Sequence, residues 1–128
     1  MANPNIAAVT DIKGNTYSVA VGTSATQVVS NPPSSGGNMV YKINTIMVTN
    51  IDGSASAEVT VNIYSAAGLG GGSPTAIAST IAVPADSTLI VTDKTTSFYL
   101  LEDRSIGAIA SAAGDLVITC SWEEITSP

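Results

Sequence analysis

The chain reads as all-β: an antiparallel, jelly-roll-like β-sandwich of about nine or ten short strands. Three observations predict it. Apolar and polar residues alternate with period two in several separate runs, as half-buried strands require. Clusters of Pro, Gly, Asn, Asp and Ser punctuate those runs at short intervals. No run carries the 3.6-residue periodicity of an amphipathic helix.

Residues 1–14 read as an N-terminal arm, and residues 15–128 as a single sandwich domain. Pro4, between Asn3 and Asn5, favours extended chain, and Ile6 and Val9 are free to dock on a neighbour. Lys13-Gly14-Asn15 reads as a turn before a strand at Tyr17 to Val21. A second strand covers Ala25 to Ser30. Residues 31–38, NPPSSGGN, form a loop by every local criterion. Met39 to Ala66 then reads as a long hairpin reversing at Asp52-Gly53. Its first run, Val40 to Ile51, is apolar on both faces, with Tyr41, Ile43 and Met47 against Val40, Ile46 and Val48. That pattern predicts a central strand, or one covered by a partner subunit. Its second run places Val59, Val61 and Ile63 on one face. Residues 67–74, AGLGGGSP, have the composition of a mobile linker. Further strands are expected at Ala76 to Val83, Thr88 to Thr92, Phe98 to Leu101, Ser105 to Ala110 and from Leu116 through Trp122. Glu102-Asp103-Arg104 reads as a polar turn.

Composition excludes several function classes. Charged residues are 11% of the chain and the net charge is −6. The four bases, Lys13, Lys42, Lys94 and Arg104, are scattered, whereas nucleic-acid binding needs clustered cations. There is no histidine, the commonest general base and transition-metal ligand. Cys120 is the sole cysteine, so it forms no disulfide within the chain and reads as a small buried apolar residue. MANPNIAAV lacks the basic and apolar regions of a secretory signal. No apolar run approaches the ~20 residues of a membrane-spanning helix.

No cofactor is implied. Adjacent carboxylates, Glu102-Asp103 and Glu123-Glu124, face opposite ways along a strand and do not converge on one bond. Asp52, Asp86 and Asp103 lie in turns and offer hard oxygen donors for Ca²⁺, but no DxDxDG spacing is present and Asp is a routine turn former. The glycine-rich 67–74 segment lacks the Lys-Ser or Lys-Thr and the βαβ setting of a phosphate loop. Tyr17, Tyr41, Tyr64, Tyr99 and Trp122 could furnish a carbohydrate platform, although most fall inside strands, where packing is their ordinary role. An enzyme is therefore not expected.

Three segments carry a resemblance: YKINTIMVTNIDGSASAEVTVNIY at 41–64, IASTIAVPADSTLIV at 77–91 and FYLLEDRSIGAIASAAGDLVITCSWEEI at 98–125. Together they resemble small virion structural proteins of tailed bacteriophages, particularly cyanophages and phages of other aquatic bacteria. The resemblance implies a capsid decoration, or cement, protein that binds the major capsid protein and stabilises the head. It further implies a homo-oligomer, with a trimer expected, made in the host cytoplasm and carried on the virion surface, without nucleic-acid or membrane partners. Alternatives are a neck, tail or head-fibre adaptor and a carbohydrate-binding β-sandwich module. The partner-binding residues expected are Asn3, Ile6 and Val9 in the arm, Pro32 and Pro33 in the first loop, Ile51 and Asp52 at the hairpin tip, and Leu69 in the glycine-rich loop. Arms and loops of this kind order on a partner and can span subunits.

Overall fold

A computed structural model describes residues 5–33, 39–71 and 73–126. Among them lie nine strands: β1 (Asp11–Ala20), β2 (Thr26–Asn31), β3 (Met39–Asn50), β4 (Ala57–Tyr64), β5 (Thr75–Val83), β6 (Thr88–Thr92), β7 (Phe98–Leu100), β8 (Arg104–Ala110) and β9 (Leu116–Thr126). No described segment is α-helical; three single 3₁₀ turns occur at Ile6–Ala8, Ala67–Leu69 and Lys94–Thr96. Among the described residues, no helix is long and apolar enough to cross a membrane.

The strands form two antiparallel sheets. The first runs β1-β9-β3-β6, with β7 also paired to β3; the second runs β2-β8-β4-β5. β6 and β7 pair with successive stretches of β3, so they act as one strand interrupted by the Lys94–Thr96 turn. With that pair counted once, the order is that of a jelly roll, as the strand pattern predicts. The core fills the space between the sheets. Ile43, Ile46, Val48, Ile118 and Cys120 from one sheet meet Val59, Val61, Ile106 and Ala108 from the other.

The Met39 to Ala66 stretch is not a hairpin. β3 and β4 lie in opposite sheets and share no ladder. Both strands need to bury an apolar face, and facing each other across the core buries both. The 50–57 connection is therefore an arch between sheets. Asn50 holds it: its Nδ2 donates to the carbonyls of Ala55 and Val83, both at 2.9 Å, and its Oδ1 accepts from Asp52 N at 2.9 Å. Asp52 accepts in turn from Ser54 N and Oγ. The local turn residues are those expected; what they join differs.

The two-sided apolarity of β3 has two causes: Val40, paired with Ile125, is buried on the face opposite Tyr41, and the later residues change phase. A register shift between Ile43 and Thr45 places two residues of β3 opposite Ser121. The side-chain phase flips there, so Tyr41, Ile43, Ile46 and Val48 all face the core. β3 is nonetheless central, flanked by β9 and by β6 and β7.

Three smaller expectations change. Lys13-Gly14-Asn15 is no turn but part of β1, which pairs with β9 without a break from Asp11 to Ala20. The turn expected at Glu102-Asp103 is present, but Glu102 is buried and Arg104 already belongs to β8. The 65–71 segment is pinned to the second sheet rather than free. Ala67 N donates to Asp103 Oδ1 at 3.1 Å, Gly68 N to Ser30 Oγ at 3.0 Å and Leu69 N to Ser105 Oγ at 2.9 Å. Ser105 Oγ donates to the Ala66 carbonyl at 2.7 Å. Gly107 leaves room for this docking: a Cβ there would lie 2.7 Å from Leu69 Cδ2 and 3.0 Å from Tyr64 Cε1.

Candidate interaction surfaces

Two surfaces stand out. The first is the outer face of the β1-β9-β3-β6 sheet. Cross-strand register aligns Thr16, Ser121 and Thr45 in one row, Ser18, Thr119, Met47 and Ile90 in the next, and Ala20, Val117, Thr49 and Thr88 in a third. Hydroxyls link across the strands: Thr16 Oγ1 donates to Ser121 Oγ at 3.2 Å, Ser18 Oγ and Thr119 Oγ1 are 2.9 Å apart, and Thr49 Oγ1 and Thr88 Oγ1 are 3.2 Å apart. Short β-branched and hydroxyl side chains pack well on a pleated face and leave it low and flat. None of the three rows contains an ionised group, although the chain carries −6. Charge enters only in the row beyond, at Glu123 and Lys42.

The second surface is an open cleft of about 270 Å³ where the β1 and β2 edges diverge. Tyr17, Tyr41, Trp122 and Glu124 line it from the first sheet, and Gln27, Val28, Val29 and Ser30 from the second. Tyr41 and Trp122 stack, with ring centroids 6.2 Å apart and planes at 17°. Glu124 Oε2 accepts from Trp122 Nε1 and from Asn15 Nδ2, each at 3.2 Å. Burial and the nearby Glu124 charge raise the Tyr41 phenol above its ordinary pKa. Glu124 thus serves the cleft, and not the solvated strand end that its sequence position suggests. Gln27 does not stand out in the sequence, and Glu124 shows there only as half of an adjacent carboxylate pair; the meeting of two sheet edges brings both to the cleft.

The residues expected to bind a partner do not form one site. Asn3 lies outside the described residues. Ile6 is exposed in its 3₁₀ turn, and Val9 is half-buried just before Thr10 joins the sheet through the Thr126 carbonyl. Pro32 and Pro33 are exposed beyond the end of β2. Ile51 is exposed on the arch, beside a half-buried Asp52 whose carboxyl is held below its ordinary pKa by hydrogen bonds from Ser54. Leu69 packs against Tyr64 and Gly107 of its own chain. Among the described residues, no group of three acidic or cysteine side chains is placed to hold a metal ion. Cys120 is fully buried, and burial pushes its thiol up to about 12.

No family model matches the sequence, and no curated protein does. The fold has relatives among solved structures. One is a Bacillus endospore appendage protein, of a family described as disulfide-linked pili; it is 16% identical, with a TM-score of 0.51, over 92% of this chain and 88% of the other. Another is a chain of infectious bursal disease virus, Gx strain, 10% identical with a TM-score of 0.51 over 91% of this chain. The present chain spans about a third of that viral chain, 32% of its length. These likenesses establish a shared sandwich fold.

Proposed function

We propose that the chain is a structural subunit of a virion, specifically a capsid decoration protein that binds the major capsid protein and clamps neighbouring subunits of the head. One observation carries the reading: the outer face of the β1-β9-β3-β6 sheet offers three rows of hydroxyl and apolar side chains without an ionised group. A face of this kind packs against a protein neighbour without stranding a buried charge. The bacteriophage-like sequence segments and the shared fold of the infectious bursal disease virus chain support it. In this reading the exposed Ile6 and Pro32 reach adjacent capsid subunits, and the protein itself is a trimer on the virion surface.

Cryo-electron microscopy of particles containing this chain tests the reading. Density on the head wall, with the hydroxyl face against the capsid, is expected. Density only at the neck or tail would make the chain an adaptor. Light scattering of the isolated protein is expected to give a trimer, and a clean monomer would remove that part.

A second reading, a self-assembling filament subunit, draws on the match to nearly the whole appendage protein. A disulfide-linked version of it meets a physical obstacle. The only cysteine is Cys120, fully buried with a strongly raised pKa, so no thiolate is available for exchange between subunits.

A further inference from the structure

We propose that the cleft between β1 and β2 is a binding site for a single ring of a neutral saccharide. This stands independently of the capsid reading, because the cleft lies at the sandwich rim and not on the hydroxyl face.

Trp122 and Tyr41, stacked on each other, present the aromatic floor, and each retains only 7% exposure. Tyr17 is the exposed partner at the mouth, 46% accessible although it sits on the core-facing side of β1, opposite Cys120. An exposed tyrosine beside a buried aromatic pair gives a ligand an apolar ring to stack on and a hydroxyl to bond. The C–H face of a pyranose is apolar and its rim is hydroxylated, so it matches both.

The polar groups point the same way. Two donors fix one oxygen of the Glu124 carboxylate, which orients the other without a long flexible search. Gln27 adds an amide that both donates and accepts, whereas the Ser30 hydroxyl is already engaged by Gly68 N. A carboxylate accepts from sugar hydroxyls and repels anions. No Lys or Arg lines the cleft. Lys13, opposite Glu124 in the register, pairs instead with Asp11 Oδ2 at 3.6 Å. Phosphates, uronic acids and sialic acids are therefore disfavoured, and a neutral hexose or N-acetylhexosamine is favoured. A volume of about 270 Å³ lies just below the range of drug-sized pockets and suits one ring, with the rest of the chain running out past Tyr17.

Trp122 is the only tryptophan, so its fluorescence reports on this cleft alone. The test titrates the full chain with chitohexaose, cellohexaose and maltohexaose, and with a hexamer of galacturonic acid, reading Trp122 emission and calorimetric heat. At least one neutral hexasaccharide is expected to bind saturably in the millimolar range or tighter, while the uronic acid hexamer does not. Tyr17→Ala is expected to weaken that binding by about tenfold, the equivalent of 1.4 kcal/mol, and Tyr17→Phe by less. Glu124→Gln weakens it by calorimetry, and Tyr99→Ala, which removes an exposed tyrosine outside the cleft, leaves it unchanged. No response to any neutral probe overturns the proposal, as does a preference for the uronic acid hexamer or an equal loss in Tyr99→Ala. Because Tyr17→Phe keeps the ring, its binding separates loss of the site from loss of the fold.

Discussion

β1 and β3 lie on either side of β9 and are hydrogen-bonded to it over almost its whole length, yet they contribute to the molecule in opposite ways. β3 buries Tyr41, Ile43, Ile46, Val48 and Asn50. β1 is exposed at every position but Val19, which is half-buried. The ladders are equivalent, so the difference lies in the side chains. Net gain per backbone hydrogen bond is small because water competes for the same groups, whereas removing apolar area from water accumulates. β1 is thus held as a rim that leaves its face and its outer edge available, and β3 holds the sandwich together.

The largest expected effect tests that division directly. Ile46→Ala should cost about 2–5 kcal/mol in chemical denaturation, since a fully buried side chain is lost from a packed core. Ile12→Ala on β1, which is 51% exposed, should stay within about 0.5 kcal/mol. Comparable losses at the two sites would break the comparison.

Asn50→Ala comes next, expected at about 1–3 kcal/mol, because the Ala55 and Val83 carbonyls and the Asp52 amide lose their partner where the arch leaves β3. Urea unfolding measures it. Gly107→Ala should cost about 1–3 kcal/mol by forcing Leu69 and Tyr64 off the second sheet. Protease cleavage within residues 65–71 should rise in the same variant. Unchanged cleavage would mean that the segment is held by its hydrogen bonds alone.

Smaller effects appear with pH. Cys120 is raised from 9.0 to about 12, so the stability that goes with its neutral form is intact below pH 9 and is lost as pH climbs towards 12. Tyr41, also raised, acts in the same direction. Cys120→Ala should make the alkaline fall in melting temperature shallower, whatever its effect at neutral pH. Asp93, lowered chiefly by the Thr95 hydroxyl, and Asp52, lowered chiefly by the Ser54 amide, behave oppositely. Their contribution is present above the ordinary carboxylate pKa of 3.8 and is lost as pH falls below it. Asp93→Asn should therefore flatten the acid limb slightly, and a steeper limb would contradict the assignment.

Much of the fold was legible locally. Alternation located the second half of β1 and strands β4, β5, β6 and β9, because a strand's two faces meet different surroundings, and flanking turn residues marked out β2, β7 and β8. The same rule failed at Lys13-Gly14-Asn15: β1 is a rim strand, exposed on both faces, so its turn-forming residues carry no penalty and its strand is set by β9. In β3 a register shift puts Ile43 and Ile46 on one face, while Val40 is buried on the other, so the two-sided reading holds only at the start of the strand.

For the sites, sequence showed which residue types were present and which chemistry they lacked. The burial of Cys120 follows from its place in an alternating apolar row. The partner residues expected in loops scatter over the surface, with Leu69 half-buried beside Gly107 of its own chain. What the sequence determined by itself is therefore the strand inventory, the all-β class and a surface poor in charge, since these follow from neighbours along the chain. Only the tertiary structure decided that β3 and β4 face each other across the core, that the 65–71 loop is docked, and that Glu124 and Gln27 meet three aromatic rings. Those facts depend on which sheet each strand joins, and pairing between residues a hundred positions apart is set by burying both apolar faces at once.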